Sequence, residues 1–362
     1  MPPTLAEVNP RFNVARRLLG WYARHRRDLP WRPPRDHSHA PINPYTILVS
    51  EFMLQQTQVA TVIPYYLRFL RAFPNVKRLA EVRPERVLEL WSGLGYYRRA
   101  KNLHAAARLI VCRFGGRFPH DYDQVCSLPG IGDYTARAIL SIAFNQPLAV
   151  LDGNVARVVA RLKALEGNTS QPAFRSAIMQ ELDRWLSRRQ SGSFNQALME
   201  LGQTVCLPRS PRCPDCPIRR SCASYRLGDP EAYPAPRPRR ATESRFLAAA
   251  ILRRGAQMAL VRGLDDGLLT DLWNFPATFG STKAEARRRL GEKLSTIVGG
   301  AIELGSPLAQ VQHTITHRSI SAQVYPVEAP GILRSRSLRW FSFSSLNRSA
   351  ISQLARKIAA TL

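Results

Sequence analysis

The sequence predicts a two-part chain: a mostly helical module over residues 10–225, then an α+β module, joined by a proline-rich connector. Three observations predict it. Apolar residues recur at helical spacing through 45–72, 84–113, 134–144 and 173–187, between Pro, Gly and Asn punctuation. The stretch GDPEAYPAPRPRRATES at 228–244 carries four prolines and few apolar residues, which predicts an extended, exposed linker. Beyond it, short apolar runs alternate at period two. A chain of 362 residues is too long for one ordinary core and fits two domains, placed at 1–228 and 245–362 with the linker at 229–244. No repeat at a period of 20–50 residues is present.

Composition bounds the function classes. Lys plus Arg outnumber Asp plus Glu by 52 to 26, a formal net charge of +26, and only six of the 52 are Lys. Such a surplus points to a polyanionic partner, nucleic acid first; arginines on solvated faces are the alternative. The opening MPPTLAEVNPRF has no apolar run, so no export signal is expected. No apolar stretch reaches the roughly 18 residues of a membrane span. A cytoplasmic protein without a disulfide framework follows as the expectation, with Cys112 and Cys126 as buried structural thiols.

Along the chain, VSEFML at 49–54 sets Glu51 in an apolar helical run. A carboxyl there should have a raised pKa and be able to donate a proton, although a salt-bridged helix residue is the alternative. LPGIGDYTARAIL at 128–140 places Gly130 and Gly132 around one apolar residue, directly before a helix. With the segment before it, this predicts a helix-hairpin-helix over 120–144. Its backbone N–H groups would grip a phosphate backbone without reading sequence, where an ordinary Gly turn would not. In LDGNVARV, Asp152 precedes a helix and suits an N-cap. Cys206, Cys213, Cys216 and Cys222 follow as C-x6-C-x2-C-x5-C. One close pair flanked by two single cysteines in a short loop suits a [4Fe–4S] cluster, with a zinc knot as the alternative. Arg209, Arg212, Arg219 and Arg220 would offset the cluster's charge or touch phosphates. In the last module, RFLAAAIL and QMALVRG predict a hairpin, 282–298 a helix, and 309–327 alternates as strand.

LPGIGDYTA, then VLDGNVARV, then the cysteine spacing resembles the endonuclease III superfamily of DNA glycosylases. Within it, LPWR at 29–32, SEFMLQQTQV at 50–59 and GLGYYRRAKNLHAAA at 93–107 are similar to the MutY-type adenine glycosylases. The resemblance spans nearly the whole chain. It implies an all-α helix-hairpin-helix glycosylase domain with an iron–sulfur loop at 206–222, plus a Nudix-like α+β domain signalled by GLLTDLWNFP. It also implies a monomer that acts on double-stranded DNA, excising adenine from A:8-oxoguanine or A:G mispairs.

The resemblance assigns roles. Glu51 would protonate adenine N7 and then activate water. Asp152, supported by Asn154, would stabilise the oxocarbenium-like sugar. Tyr134 stands where strand-cutting relatives carry a Schiff-base Lys, and Tyr cannot form an imine, so it implies a monofunctional enzyme. Gln56 and Tyr96 would intercalate with Leu54 and Thr57 alongside, while Arg27, Leu29, Trp31, Arg32 and Gln196 would line the adenine pocket. Simple core packing is the alternative for Tyr96 and Trp31. Ile315, Thr316 and His317 would read 8-oxoguanine, with Ile in place of the family's Phe. Glu285 and Glu292 fall short of a Nudix metal cluster, so recognition without hydrolysis is expected. The segment after Arg32 is longer than the family's, and its His37 and His39 read as loop residues.

Overall fold

The computed structural model describes residues 10–35, 41–236, 241–265, 267, 269–270, 272–315, 317–328, 338–346 and 349–362. Thr316, His37 and His39 lie outside the described residues. The helices of the first part are α1 (Pro10–His25), α2 (Pro44–Leu54), α3 (Val59–Ala72), α4 (Val76–Glu81), α5 (Pro84–Trp91), α6 (Arg98–Phe114), α7 (Tyr122–Cys126), α8 (Asp133–Phe144), α9 (Gly153–Lys163), α10 (Pro172–Trp185), α11 (Ser191–Thr204) and α12 (Ala223–Arg226). The rest holds β1 (Glu243–Arg254), β2 (Gln257–Arg262), β3 (Trp273–Asn274), β4 (Ala277–Gly280), α13 (Lys283–Val298), β5 (Ala309–Ile315), β6 (Arg318–Glu328), β7 (Leu338–Ser342), α14 (Phe343–Leu346) and α15 (Gln353–Ala359). Two compact units result. One is Met1–Val82 with Lys101–Pro238; the other is Arg83–Ala100 with Arg239–Leu362.

In the first unit, α2 is buried nearly all round, from Tyr45 to Met53. That is the fate of a helix apolar on every face. Asn43 caps it, accepting from Tyr45 N at 2.9 Å, and Pro44 takes the first turn, where no N–H is needed. The periodic run 45–72 is two helices, because Gln56 turns left-handed at φ 58°. The core gathers Leu18 and Trp21 of α1, Val155 and Val159 of α9, Ile178 of α10, and Phe194 and Leu201 of α11. Each such side chain contributes on the order of 2 kcal/mol by leaving water. Cys206, Cys216 and Cys222 pack on the edge of this core. Gly202 permits the contact between α11 and α9: a Cβ there would lie 2.7 Å from Asn154 Cβ.

The second unit is a mixed sheet in the order β3-β2-β1-β6-β5, with β4 also on β1 and β7 also on β2. β1 and β6 run parallel from Glu243↔Arg318 to Arg253↔Glu328. Leu247, Ala249 and Ile251 of β1 face one core with Phe341 and Ile358, while Ala248, Ala250 and Leu252 face another with Leu290 and Leu294 of α13. Burial on both faces explains the unbroken apolar run of this strand. The expected hairpin forms between β1 and β2, and 309–327 becomes a second hairpin of β5 and β6. α13 starts at the Thr282 cap and stops at left-handed Gly299.

Three expectations are corrected. Cys112 is exposed and Cys126 only partly buried. The buried stripe of α6 runs through Leu103, Ala106, Ala107 and Ile110, and Cys112 falls off it. The run 84–113 breaks at 92–97, where Gly93, Gly95 and Tyr96 take positive φ. The start of the linker is not a free extended segment. Arg161, 2% exposed, donates to Tyr233 O at 3.0 Å, and Ala235 N donates to Gly167 O at 2.9 Å. A buried guanidinium needs acceptors, and the connector supplies one.

Candidate active site and cysteine pocket

One cleft of about 590 Å³ in the first unit collects Arg27, Leu29, Trp31, Arg32, Glu51, Leu54, Thr57, Tyr134, Asp152, Asn154 and Gln196. α2 contributes Glu51, α8 Tyr134, the start of α9 Asp152 and Asn154, and α11 Gln196. Trp31, 9% exposed, both packs edge-on against Tyr66 at 5.2 Å and lines the cleft. Gln56 is exposed next to the lining residues Leu54 and Thr57. Tyr96 belongs to the second unit and is 48% exposed, so core packing does not account for it.

Burial dominates Glu51. It raises the carboxyl to about 7, against the hydrogen-bonding Tyr134 hydroxyl, which pulls it down; the Asp152 charge adds to the rise. Tyr134 is buried and pushed well above its ordinary value by that burial and by the same two carboxyls, so it stays a phenol. Asp152 caps α9: Oδ1 accepts from Val155 N at 2.7 Å and Oδ2 from Asn154 Nδ2 at 2.9 Å. The cap expected from sequence and the place in the cleft are therefore held by one side chain.

Two residues of the cleft region carry no sequence signal. Glu200, 1% exposed, accepts from Arg27 Nε at 2.6 Å and from Arg32 Nη2 at 2.9 Å. Burial raises this carboxyl, but the hydrogen bond and charge of Arg27, with those of Arg32, outweigh it and the net shift is downward. Arg32 Nε and Tyr22 Oη also fix Gln196, both donating to its Oε1 at 3.1 and 3.2 Å. Arg157 joins the cleft to the cysteine loop, donating to Asn154 Oδ1 at 3.0 Å and to Cys206 O at 2.8 Å.

At the hairpin only Gly130 is conformationally obligatory. It sits at φ 77°, and a Cβ would come 2.6 Å from Asn102 Cβ. Gly132 caps α8 in an ordinary extended conformation with open space around its α-carbon.

The four cysteines of the loop line one small cavity with Val158, Leu201, Val205 and Ile218. Arg161 donates to Cys206 Sγ at 3.4 Å and to the carbonyls of Leu207 and Pro208. Arg212 and Arg219 turn to backbone carbonyls of Thr204 and Pro214, while Arg209 and Arg220 are exposed. Among the described residues no three His, Cys, Asp or Glu side chains converge as a single-ion site. Four soft donors around a shared apolar space, beside a buried cation, fit a larger anionic iron–sulfur group.

In the second unit, Ile315 ends β5 half-buried against the core. His317 O accepts from Glu243 N at 3.0 Å, and its ring lies 3.8 Å from the Glu243 carboxylate. On α13, Glu285 accepts from Ser281 N at 2.7 Å and Glu292 pairs with Arg288, so both glutamates are held locally. Among the described residues no helix is long and apolar enough to cross a membrane.

Residues 49–186 match the HhH-GPD superfamily base excision DNA repair proteins, and residues 247–361 match the NUDIX domain. The chain is 33% identical to mouse adenine DNA glycosylase over 94% of its own length and 76% of that protein's. It is 34% identical to the human adenine DNA glycosylase over 94% and 72%. Among solved structures, a thermostable thymine-DNA glycosylase superposes with a TM-score of 0.53 at 26% identity, covering 60% of this chain and 98% of that one.

Proposed function

The chain belongs to the adenine DNA glycosylases of base excision repair, hydrolases of the N-glycosidic bond, and we propose that it excises adenine paired with 8-oxoguanine or guanine without cutting the strand. The observation that carries this reading is Glu51 and Asp152 in one cleft, with Glu51 lifted to about 7. The flipped adenine enters among Arg27, Leu29, Trp31, Arg32 and Gln196. Protonated Glu51 gives its proton to N7, and the C1′–N9 bond breaks with both electrons leaving on the base. Asp152, held by Asn154, stabilises the cationic sugar. Water adds at C1′ and the Glu51 carboxylate takes its proton. Tyr134, kept as a phenol, offers no amine for a lyase step.

Gln56 and Tyr96 fill the vacated stack with Leu54 and Thr57 beside them, the hairpin at Gly130 and Gly132 holds phosphates, and 315–317 contacts the opposite base. Cys206, Cys213, Cys216 and Cys222 hold a [4Fe–4S] cluster; bound, it supplies iron–thiolate bonds that pin the loop to the core. The protein acts as a monomer on duplex DNA.

The test is incubation with duplexes carrying A:8-oxoguanine, A:G, T:G or thymine glycol, followed by gels with and without alkali. Alkali-dependent breaks at A:8-oxoguanine and A:G are expected. Breaks without alkali at the rate of base release would overturn the monofunctional reading. Glu51→Gln should bind DNA but release no adenine.

A further inference from the structure

The second unit contains a piece of chain that periodicity assigns to the helical module: α5 and the turn from Ser92 to Tyr97. This turn is built to hold a shape. Trp91 Nε1 donates to Gly95 O at 3.1 Å. The Arg99 guanidinium, 7% exposed, donates to the carbonyls of Leu94, Gly95 and Tyr96 and lies against the Trp91 and Tyr96 rings. Three positive-φ residues, Gly93, Gly95 and Tyr96, end with the Tyr96 ring half exposed. A bulky residue in the left-handed region is strained and persists only where its surroundings enforce it.

The base of the turn is fastened to the C-terminal module. Tyr97 Oη accepts from Gly93 N at 3.1 Å and donates to Ile351 O at 3.3 Å. Ser92 Oγ donates to Ser349 O at 3.2 Å and accepts from Arg356 Nη2 at 2.6 Å. The receiving segment is itself tied to the sheet: Trp273 N donates to Ala350 O, and Ser352 N to Trp273 O.

We propose that Ser92, Tyr97 and Arg356 are positioning residues that make the Tyr96 turn a mechanical part of the C-terminal module. The proposal rests on the reading above, in which Tyr96 wedges the stack and this module contacts the base opposite adenine. Whatever that module binds then sets where Tyr96 stands, so insertion of the wedge depends on the identity of the opposite base.

Two readouts on the full chain separate the clamp from the reading beneath it. Hydrogen exchange at the amides of residues 93–97, without DNA, judges the clamp alone. Tyr97→Phe and Arg356→Met should each speed exchange there by about tenfold, the effect of one lost hydrogen bond, while Ser92→Thr keeps wild-type protection. Unchanged exchange in both variants overturns the clamp. Fluorescence of 2-aminopurine beside the lesion, in a duplex whose adenosine carries a 2′-fluorine that resists cleavage, judges the coupling. The wild-type signal should be larger opposite 8-oxoguanine than opposite guanine, and Tyr97→Phe should collapse that difference. A difference that survives intact in Tyr97→Phe overturns the coupling. A signal unaffected by Tyr96→Ala would instead sink the wedge reading, and the coupling with it.

Discussion

Two glutamates in similar apolar runs, VSEFML and ALMELG, are both buried and end in opposite states. Glu200 meets Arg27 and Arg32 and is pulled down; Glu51 meets no such cation among the described residues and rises to about 7. Only the first half of that contrast escapes the sequence. An apolar neighbourhood is visible locally, so the raised pKa of Glu51 was legible, whereas the partners of Glu200 stand 173 and 168 residues away. The rise has a thermodynamic cost. Because the folded pKa lies above the unfolded one, the favourable contribution is complete below about 4.5 and is lost as pH climbs through 7. The full loss is roughly 3 kcal/mol. Glu51→Gln should therefore raise the melting temperature at pH 8 and leave it nearly unchanged at pH 4. Equal shifts at both pH values would show that Glu51 is not buried as an acid. Excision by the native protein, if Glu51 must enter protonated, declines as pH rises past 7.

At the scale of elements, the legible features were those with a local cause. The Asp152 cap of α9, the alternating strands and the hairpin glycines all act within a few residues. The breaks at Gln56 and Tyr96 were not legible, because apolar spacing continues on both sides of each and neither residue is a usual left-handed one. The two hairpin glycines, equivalent on the page, separate by geometry. Gly130→Ala must place a Cβ 2.6 Å from Asn102 Cβ at φ 77°, and should cost on the order of 2 kcal/mol in denaturant melts. Gly132→Ala meets nothing within 4 Å and should melt like the native protein. If the hairpin approaches a phosphate as proposed, Gly132→Ala still weakens DNA binding, since the new methyl points into that open space. Equal melting of both variants would contradict this division of labour.

For the whole molecule, composition foretold two units but not their membership. Arg83–Ala100 joins the later unit through hydrogen bonds to Ser349 and Ile351, contacts of more than 250 residues' separation that no periodicity encodes. The net charge of +26 also needs dividing before it is read as affinity for DNA. Arg99, Arg157 and Arg161 direct several of their donors to backbone carbonyls inside the protein, so part of the surplus is internal wiring. The phosphate-facing share is smaller than the formal charge. If roughly six to ten phosphates are neutralised, affinity for a lesion duplex should fall by about a thousandfold or more between about 50 and 200 mM salt. Titration of binding against salt measures this directly. A loss of less than about tenfold would show that the arginine surplus is chiefly structural or solvated. A loss far beyond about a hundred-thousandfold would mean that the internal arginines had been counted out wrongly.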